Sequence, residues 1–430
     1  MMKNNVKNLI EFIDHSPSCF HVIENARKQF LEYGFTELKE KEYWNLEEGK
    51  SYFVTRNGSS MIAFHLPKKA FQGFHIVASH SDSPTYRIKE QPEMSVEKHY
   101  TKLNIERYGG MIPETWFDRP LSVAGRIIIE ENGQIKDQLV NIDRDLMIIP
   151  NLAIHMSRSS NESKQLNSQK DLLPLCGGNL TKDGFEEMIS KEAGVTKEDI
   201  LSYDLFLYNR MRGTTLGINE EFVAAPKLDD LECAYSSIEG MLNAKLSKDY
   251  VTVCAIFDNE EVGSGTKQGA GSTFFPEVLK RISYLCGKNE EEYYMAVADS
   301  FMLSADNAHA VHPNYQDKTD PTNRPYINEG IVLKYNASQK YTTDANSAAL
   351  VKYLCKKEKI HCQVFFNRSD MLGGSTLGNI LTGQVSIKAA DIGLPQLSMH
   401  STYETAGCKD LDDMITLMKS FYELGKEVQI

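Results

Sequence analysis

The chain has 430 residues, a formal net charge of -12 and 41% hydrophobic residues, which is enough for at least one large core and suggests two or three domains. Its lysines and arginines are dispersed without a basic stripe, which argues against nucleic acid or an anionic membrane as a partner. No apolar run approaches the roughly 20 residues of a membrane span, and eight cysteines without a CxxC pair or a signal-like N-terminus indicate a soluble, cytoplasmic protein with reduced thiols.

The first predicted element is an amphipathic helix, whose apolar residues follow the i, i+3, i+4, i+7 spacing: Val6, Leu9, Ile10 and Ile13. The stretch "DHSPS" that follows would end this helix. The run "GFHIVASH" (73–80) is short and apolar. It predicts a strand that is buried on both faces, as in a parallel α/β sheet.

The middle of the chain has a different pattern. The stretch "LSVAGRIIIEENGQIKDQLVNI" contains two extended runs around Asn132 and Gly133, which is a hairpin signal. The polar residues 157–170 predict an exposed loop. From about 91 to 225 we therefore expect a β-rich unit with antiparallel pairing, inserted between two segments, 1–90 and 226–430, of one α/β domain.

Two further runs, "DYVTVCAIFD" (249–258) and "YYMAVADS" (293–300), predict more buried strands. A second amphipathic helix is predicted near the end of the chain, with apolar positions that recur between Leu411 and Leu424.

Acidic residues and histidines recur where an apolar run meets a turn. In "ASHSDSP", His80 and Asp82 lie two residues apart, so on a strand they face the same side and the carboxylate can orient a metal-bound imidazole. A surface histidine beside a turn aspartate would give the same pattern. In "APKLDDL", Asp229 and Asp230 precede an amphipathic run, where an aspartate can be a ligand or an ordinary helix N-cap.

The most unusual stretch is "IFDNEEVGSG", which places Asp258, Glu260 and Glu261 within four residues. Like charges at this spacing repel one another, and a folded protein tolerates them in water or around a compensating cation. Downstream, the polar candidates at the ends of apolar runs are Asp306, His309, His312, His400 and Glu404. Each can be a satisfied structural residue, but as a set these oxygen and imidazole donors, without a thiolate, suit two zinc ions with a position left open for water.

These blocks resemble the aspartyl aminopeptidase family of dinuclear zinc metallopeptidases. The resemblance runs nearly from end to end and is carried by blocks such as "HSDSP", "YGGMIPETWFDRPLSVAGR", "APKLDDL", "DNEEVGSGTKQGA", "SADNAHAVHPNY" and "PQLSMHS". It implies an α/β fold, with a zinc-peptidase domain whose central mixed sheet is flanked by helices. It also implies that an inserted β-rich dimerisation domain interrupts this domain.

The resemblance implies ligands for two zinc ions per subunit. These are His80, Asp306 and a bridging Asp229 for one ion, and Asp229, Glu261 and His400 for the other. Cobalt or manganese could replace the zinc ions. It further implies that Asp82 orients His80 and that Glu260 is the general base.

The resemblance also implies substrate contacts and an assembly. Lys334 and Tyr341 match residues that contact the substrate, the lysine meeting an acidic side chain, and we count His309 as a further substrate-binding candidate. For a lysine inside an apolar run, snorkelling to solvent or a structural salt bridge is the alternative. Family members form dimers that assemble into a tetrahedral dodecamer, in which His155 reaches a neighbouring active site.

The expected reaction is therefore zinc-dependent removal of the N-terminal residue from a peptide, with a preference for Asp or Glu. The alternatives are a dizinc aminopeptidase of broad or non-acidic specificity, another dizinc amide hydrolase such as a carboxypeptidase or deacylase, and a non-enzymatic oligomeric shell protein.

Overall fold

The computed structural model describes residues 2–156, 165–179 and 183–428. Within these residues the helices are α1 Met2–Asp14, α2 Cys19–Glu32, α3 Ser168–Asp171, α4 Gly184–Ala193, α5 Leu228–Leu242, α6 Phe274–Leu285, α7 Glu290–Ala298, α8 Ala345–Glu358, α9 Leu377–Gln384 and α10 Cys408–Tyr422. The strands are β1 Thr36–Leu38, β2 Ser51–Arg56, β3 Ser60–His65, β4 Phe74–His80, β5 Thr85–Val96, β6 Tyr100–Tyr108, β7 Leu121–Glu131, β8 Gln134–Asn141, β9 Leu175–Gly177, β10 Ile200–Asn209, β11 Thr214–Leu216, β12 Phe222–Ala225, β13 Val251–Phe257, β14 Phe301–Ala305, β15 Ala308–His309, β16 Ile331–Tyr335, β17 Cys362–Phe366, β18 Lys388–Gly393, β19 Pro395–Leu397 and β20 Glu404–Gly407.

The largest sheet of the described residues has nine strands in the order β1-β2-β3-β13-β4-β14-β18-β16-β17. Its centre is parallel, because β4 pairs in parallel with both β13 and β14. Antiparallel pairs, such as β13 with β3 and β16 with β18, make the sheet mixed. The predicted mixed α/β class is therefore confirmed.

Helices cover both faces of this sheet. Along β4, Val77 packs into one apolar cluster with residues of α1, α2, α5, α8 and α10. Its neighbours Ile76 and Ala78 point to the opposite face and pack with residues of α6, α7 and α9. Since successive side chains on a strand alternate between faces, a strand covered on both sides is expected to be apolar along most of its length. All seven residues of β4 are buried, and so are all seven of β13.

The inserted region forms a second sheet, with the order β8-β7-β10-β5-β6-β9 and antiparallel pairing throughout. It has its own apolar cluster, which includes Val123, Leu205 and Phe185 of α4. The predicted hairpin is confirmed, because β7 and β8 pair across Asn132 and Gly133, which have φ angles of 54° and 75°. A two-residue turn of this kind needs positive φ at both positions, which asparagine and glycine tolerate best.

A third sheet joins this region to the rest of the chain. Its order is β11-β12-β20-β19-β15. The strands β11 and β12 precede residue 226 in sequence, yet β12 pairs with β20 of the C-terminal segment. The six-stranded sheet itself runs from Thr85 to Asn209. The division of the chain at 91 and 225 stays a prediction.

The predicted terminal helices are confirmed as α1 and α10, and the runs at 73–80 and 249–258 are confirmed as β4 and β13. The strand predicted at 293–300 is wrong, since these residues lie mostly in α7. Asn289 and Glu292 form a capping box at the start of that helix, which favours a helix over a strand. Of the predicted loop at 157–170, residues 157–164 lie outside the described residues, and 168–170 lie in α3. In the described part of the chain, no helix has the length and apolar character of a membrane span.

Candidate metal centre

Adjacent parallel strands deliver the first candidate ligands to one edge of the nine-stranded sheet. His80 ends β4, Glu260 and Glu261 follow β13 in a short 3-10 helix, and Asp306 follows β14 directly. Phe257, at the end of β13, pairs with His80, so the two strands end at the same level. The carboxyl ends of parallel strands are the usual position for a site in α/β sheets, because these ends meet at one edge.

The remaining ligands come from the start of α5 and from the loop between β19 and β20. Asp229 and Asp230 have non-helical backbone angles within the first turn of α5. His400 has a φ angle of 65°, which is uncommon for a residue with a side chain. The carboxylate of Glu404 connects these segments, since it accepts the backbone N–H of Asp229 over 3.0 Å and that of His400 over 2.6 Å.

Asp229 lies between the two imidazoles. Its Oδ1 is 3.6 Å from Nε2 of His80, and its Oδ2 is 3.2 Å from Nε2 of His400. Nε2 of His400 is also 3.4 Å from Oε1 of Glu261. Among the described residues, donor atoms converge to within 4.8 Å of one another in three groups: His80, Asp229, Asp230 and Asp306; His80, Glu260 and Glu261; and Asp229, Glu261 and His400.

The donor set fits metal ions. Buried oxygens of Asp229, Asp230 and Glu261 have no hydrogen-bond partner in the described structure, and such groups are costly unless a cation compensates them. The donors in these groups are imidazole nitrogens and carboxylate oxygens, the set that zinc accepts in catalytic sites.

The electrostatics of the cluster also favour a bound cation. Burial, with the neighbouring carboxylates, raises the pKa of Glu260 to about 8 and holds the pKa of Asp230 and Glu261 well above its ordinary value. Burial opposes the charge on His80, but the Asp230 carboxylate and the nearby carboxylates of Asp229 and Asp82 raise the pKa of the imidazole. Without a dication these groups would retain protons, whereas a bound dication favours ionised carboxylates and neutral histidines.

A cavity of about 280 Å³ opens onto the cluster. Its lining includes most of the candidates predicted from sequence: His80, Asp229, Glu260, Asp306, His309, Lys334, Tyr341 and His400. Phe365 and Met399 add apolar surface. A concave site with convergent polar groups and apolar walls is the usual form of a substrate pocket.

Lys334 does not snorkel to solvent. It is 2% exposed, and its Nζ donates hydrogen bonds to the backbone oxygens of Asp306 over 2.7 Å and Asn307 over 3.0 Å. Nζ also lies 3.7 Å from Oδ1 of Asp306 and 5.2 Å from the centre of the Tyr341 ring. Burial opposes its charge, but the Asp306 carboxylate raises the pKa of the ammonium above its ordinary value.

Two predicted residues lie apart from the cluster. His155 is exposed in a short helix of the inserted region, Ile154–Met156, and does not line this cavity. Among the described residues, Asp258 is in none of the groups of converging donor atoms, and its Oδ1 accepts the backbone N–H of Asn259 over 2.7 Å, which orders the turn. His309 lines the cavity but is itself exposed.

The structure gives several residues at the site contacts that the sequence did not indicate. Asp230 accepts the backbone N–H of His80 over 3.1 Å, and Tyr108 of the inserted sheet donates to Asp82 over 2.6 Å. Glu404 stood out only as a polar residue near His400. Its hydrogen bonds to the backbone of Asp229 and of His400 depend on how the folded chain brings these segments together, and no sequence motif indicates such contacts.

Known proteins resemble this chain over nearly its whole length. The model of the family described as "Aminopeptidase I zinc metalloprotease (M18)" matches residues 12–422. The chain is 46% identical over 437 residues to "Probable M18 family aminopeptidase 2" of Clostridium novyi (strain NT), covering 98% of this chain and 100% of the relative. A protein of the same name from Pseudomonas aeruginosa (strain UCBPP-PA14) is 37% identical over 424 residues, covering 97% of each.

Solved structures share the fold over nearly the whole chain. One, "Cryo-EM structure of the Ape4 and Nbr1 complex", superposes with a TM-score of 0.95 at 36% identity and covers 98% of this chain and 86% of that one. Another, "Structure of S. cerevesiae mApe1 dodecamer", gives a TM-score of 0.85 at 26% identity, with 97% and 96% of the two chains covered.

Proposed function

Since the chain belongs to the M18 family of zinc metallopeptidases and is an aminopeptidase of that family, we propose that it removes acidic residues from the N-terminus of peptides with a centre of two zinc ions. The carboxypeptidase, deacylase and shell-protein alternatives do not agree with this membership. The observation that carries the proposal is the cavity in which the ligand cluster, Glu260 and the buried Lys334 meet.

For the first zinc ion we propose His80, Asp306 and Asp229 as ligands, and for the second Asp229, Glu261 and His400. The two oxygens of Asp229 face different histidines, which supports a bridging role. His400 lies next to both Asp229 and Glu261, which supports the second set. Cobalt or manganese could occupy the same donors, because the site has no thiolate to favour a softer metal.

With zinc bound, these residues would hold a Lewis acid that polarises the scissile carbonyl and lowers the pKa of a water molecule toward 7. Glu260, at the cavity wall beside the ligands, takes the proton from the attacking water as general base. It then delivers this proton to the leaving amine as general acid. Glu261 converges with Asp229 and His400, a group that does not include Glu260, so the two neighbouring glutamates have different proposed roles.

Lys334 supports the acidic preference. An ammonium group has three N–H donors, and two of them are used by backbone oxygens of Asp306 and Asn307. The third donor is not used by a hydrogen bond that the structure describes, and the ammonium, which also lies 3.7 Å from Oδ1 of Asp306, belongs to the cavity lining beside Tyr341. A substrate carboxylate would form a buried, charge-assisted hydrogen bond there, which is stronger than a neutral one. His309 is a further contact for substrate.

We also propose a homo-oligomer, assembled from dimers into a dodecamer. A solved structure at 26% identity is described as a dodecamer. In this chain the residues around His155 are apolar and unusually exposed: Leu152 by 50%, Ile154 by 47% and Met156 by 77%. Exposed apolar residues clustered in this way mark an interface, and such an interface would carry His155 toward a neighbouring active site. The inserted domain, 91–225, would mediate the pairing.

The cytoplasmic location belongs to the same proposal. All eight cysteines are free in the structure, as expected in a reducing compartment.

The test is a panel of peptides that differ in their N-terminal residue, run on protein reconstituted with zinc, cobalt or manganese. We expect release of the N-terminal residue and the highest kcat/KM with N-terminal Asp or Glu. Release with equal or higher kcat/KM from N-terminal Leu or Ala would contradict the acidic preference, and release from the C-terminus would contradict the reaction itself.

A further inference from the structure

The Asp82 carboxylate makes most of its hydrogen bonds to the turn that carries the two glutamates. Its Oδ1 accepts the backbone N–H of Glu260 over 3.1 Å, and its Oδ2 accepts that of Glu261 over 3.2 Å. Nδ1 of His80 is nearer to the backbone oxygen of Asp82, at 3.0 Å, than to Oδ1 of its carboxylate, at 3.4 Å. The carboxylate therefore fixes the backbone of the proposed base and of the adjacent ligand as well as the imidazole.

A residue of the inserted sheet holds this carboxylate in place. Tyr108 is the last residue of β6, and its hydroxyl donates to Oδ2 of Asp82 over 2.6 Å. The same hydroxyl accepts a hydrogen bond from Nδ2 of Asn259 over 2.9 Å. Asn259 directly precedes Glu260 and adopts a left-handed backbone conformation with φ 63°. The Tyr108 hydroxyl thus connects Asp82 with the start of the turn.

The chain next to Tyr108 also packs on this turn. Gly109 has a φ angle of 77°, and a Cβ at this position would lie 3.1 Å from Cβ of Glu261. A side chain there would be strained by its backbone and would press on Glu261. The segment after β6 therefore lies against the turn on the side where the Tyr108 hydroxyl reaches Asp82.

We propose that Tyr108 is a positioning residue, which acts through the Asp82 carboxylate to fix the backbone of Glu260 and Glu261. This inference rests on the proposed roles of the two glutamates. It makes the inserted sheet part of the metal centre of its own chain, in addition to any contact with a neighbouring subunit. Replacing a residue that hydrogen-bonds to a metal ligand and orients it typically lowers metal affinity or activity by about 10- to 100-fold.

The first test compares Tyr108→Phe with Tyr203→Phe. Both remove a hydroxyl from the inserted sheet, but the hydroxyl of Tyr203 donates to the backbone oxygen of Lys89, which takes no part in the site. At saturating zinc we expect kcat of Tyr108→Phe to fall by about 10-fold or more while KM changes by less than about twofold, because the cavity wall is unchanged. Tyr203→Phe should match the wild type in both constants.

A second readout does not depend on activity. Cobalt(II) titration followed by visible absorption should give about 10-fold weaker binding in Tyr108→Phe and unchanged binding in Tyr203→Phe, because Glu261 lies on the affected turn. If the wild-type protein is inactive on peptides but this difference is found, the proposed function fails and the positioning role stands. If the wild type is active and Tyr108→Phe equals it in kcat and cobalt binding, the positioning role fails alone.

A double-mutant cycle with Asp82→Ala tests whether Tyr108 acts through Asp82. This replacement removes both carboxylate oxygens, so the Tyr108 hydroxyl loses its acceptor at this position. Adding Tyr108→Phe to Asp82→Ala should therefore lower kcat by less than about twofold, since coupled residues are not additive. A full additional 10-fold loss in the double variant would overturn the proposed route. The cycle remains informative if one variant is less stable, because thermal unfolding of each variant reports that loss separately.

Discussion

The Lys334 ammonium offers the sharpest test of substrate preference, and Lys334→Met removes the charge while it keeps most of the aliphatic stem. In the structure Nζ is buried and already hydrogen-bonded to two backbone oxygens. A substrate carboxylate that reaches it would gain a charge-assisted hydrogen bond, worth about 1.5 to 3 kcal/mol. At 1.4 kcal/mol for each factor of ten, this predicts that Asp and Glu substrates exceed Leu by roughly 10- to 150-fold in kcat/KM.

The assay is kcat/KM for peptides with N-terminal Asp, Glu, Leu and Lys on the wild type, on Lys334→Met and on Lys340→Met. Lys340 is exposed and absent from the cavity lining, so its replacement changes the same charge without touching the pocket. In Lys334→Met the preference should disappear, and in Lys340→Met it should persist. Zinc content must be measured in parallel, because Lys334 also lies beside the proposed ligand Asp306. An unchanged ranking of substrates in zinc-loaded Lys334→Met would refute the reasoning.

Three further predictions concern the ligands, the pH dependence of stability and the assembly. His80→Ala and His400→Ala should each lower the zinc content measured by mass spectrometry together with turnover, and full zinc occupancy in both would overturn the ligand sets. Burial lowers the pKa of His75 to about 3. Below about pH 6.5 the unfolded chain therefore binds a proton that the folded chain does not bind, and the free energy of unfolding should fall as the pH drops from about 6.5. His75→Phe should flatten this fall in urea titrations, whereas parallel pH curves for the variant and the wild type would contradict the prediction. Ile154→Asp places a charge on the exposed apolar stretch and should dissociate the assembly in sedimentation experiments, whereas an unchanged sedimentation coefficient would exclude that surface.

The sequence indicated which residues converge in the candidate metal cluster because these residues lie at the ends of apolar runs. His80 ends β4 and Asp306 follows β14. The change from an apolar run to polar residues makes such positions recognisable in the sequence alone. The pairing of β4 with both β13 and β14 then brings them together. The strand predicted at 293–300 was wrong because a short apolar run is too short to show whether its apolar residues repeat as in a helix or as in a strand. The residues that favour a helix, Asn289 and Glu292 of the capping box, lie before this run.

The supporting residues could not be predicted in the same way. Glu404 binds the backbone of Asp229 across 175 positions of sequence, and Tyr108 meets Asn259 across 151 positions. Both contacts involve groups whose direction depends on the folded backbone. Residue types and spacing carry information on which side chains could bind a metal, but not on which neighbours hold those side chains in position.

The replacement Glu260→Gln, measured as turnover and zinc content on the same sample, tests the proposed reaction most directly. The amide keeps the shape of the side chain but cannot accept the proton of the attacking water. Turnover should therefore fall by about 10² to 10⁴, while the zinc content should equal that of the wild type, which we expect to be two ions per chain, because Glu260 is not among the proposed ligands. Near-normal turnover in the zinc-loaded variant would contradict the assignment of Glu260 as the general base, and fewer than two zinc ions in the wild type would contradict the two-zinc centre.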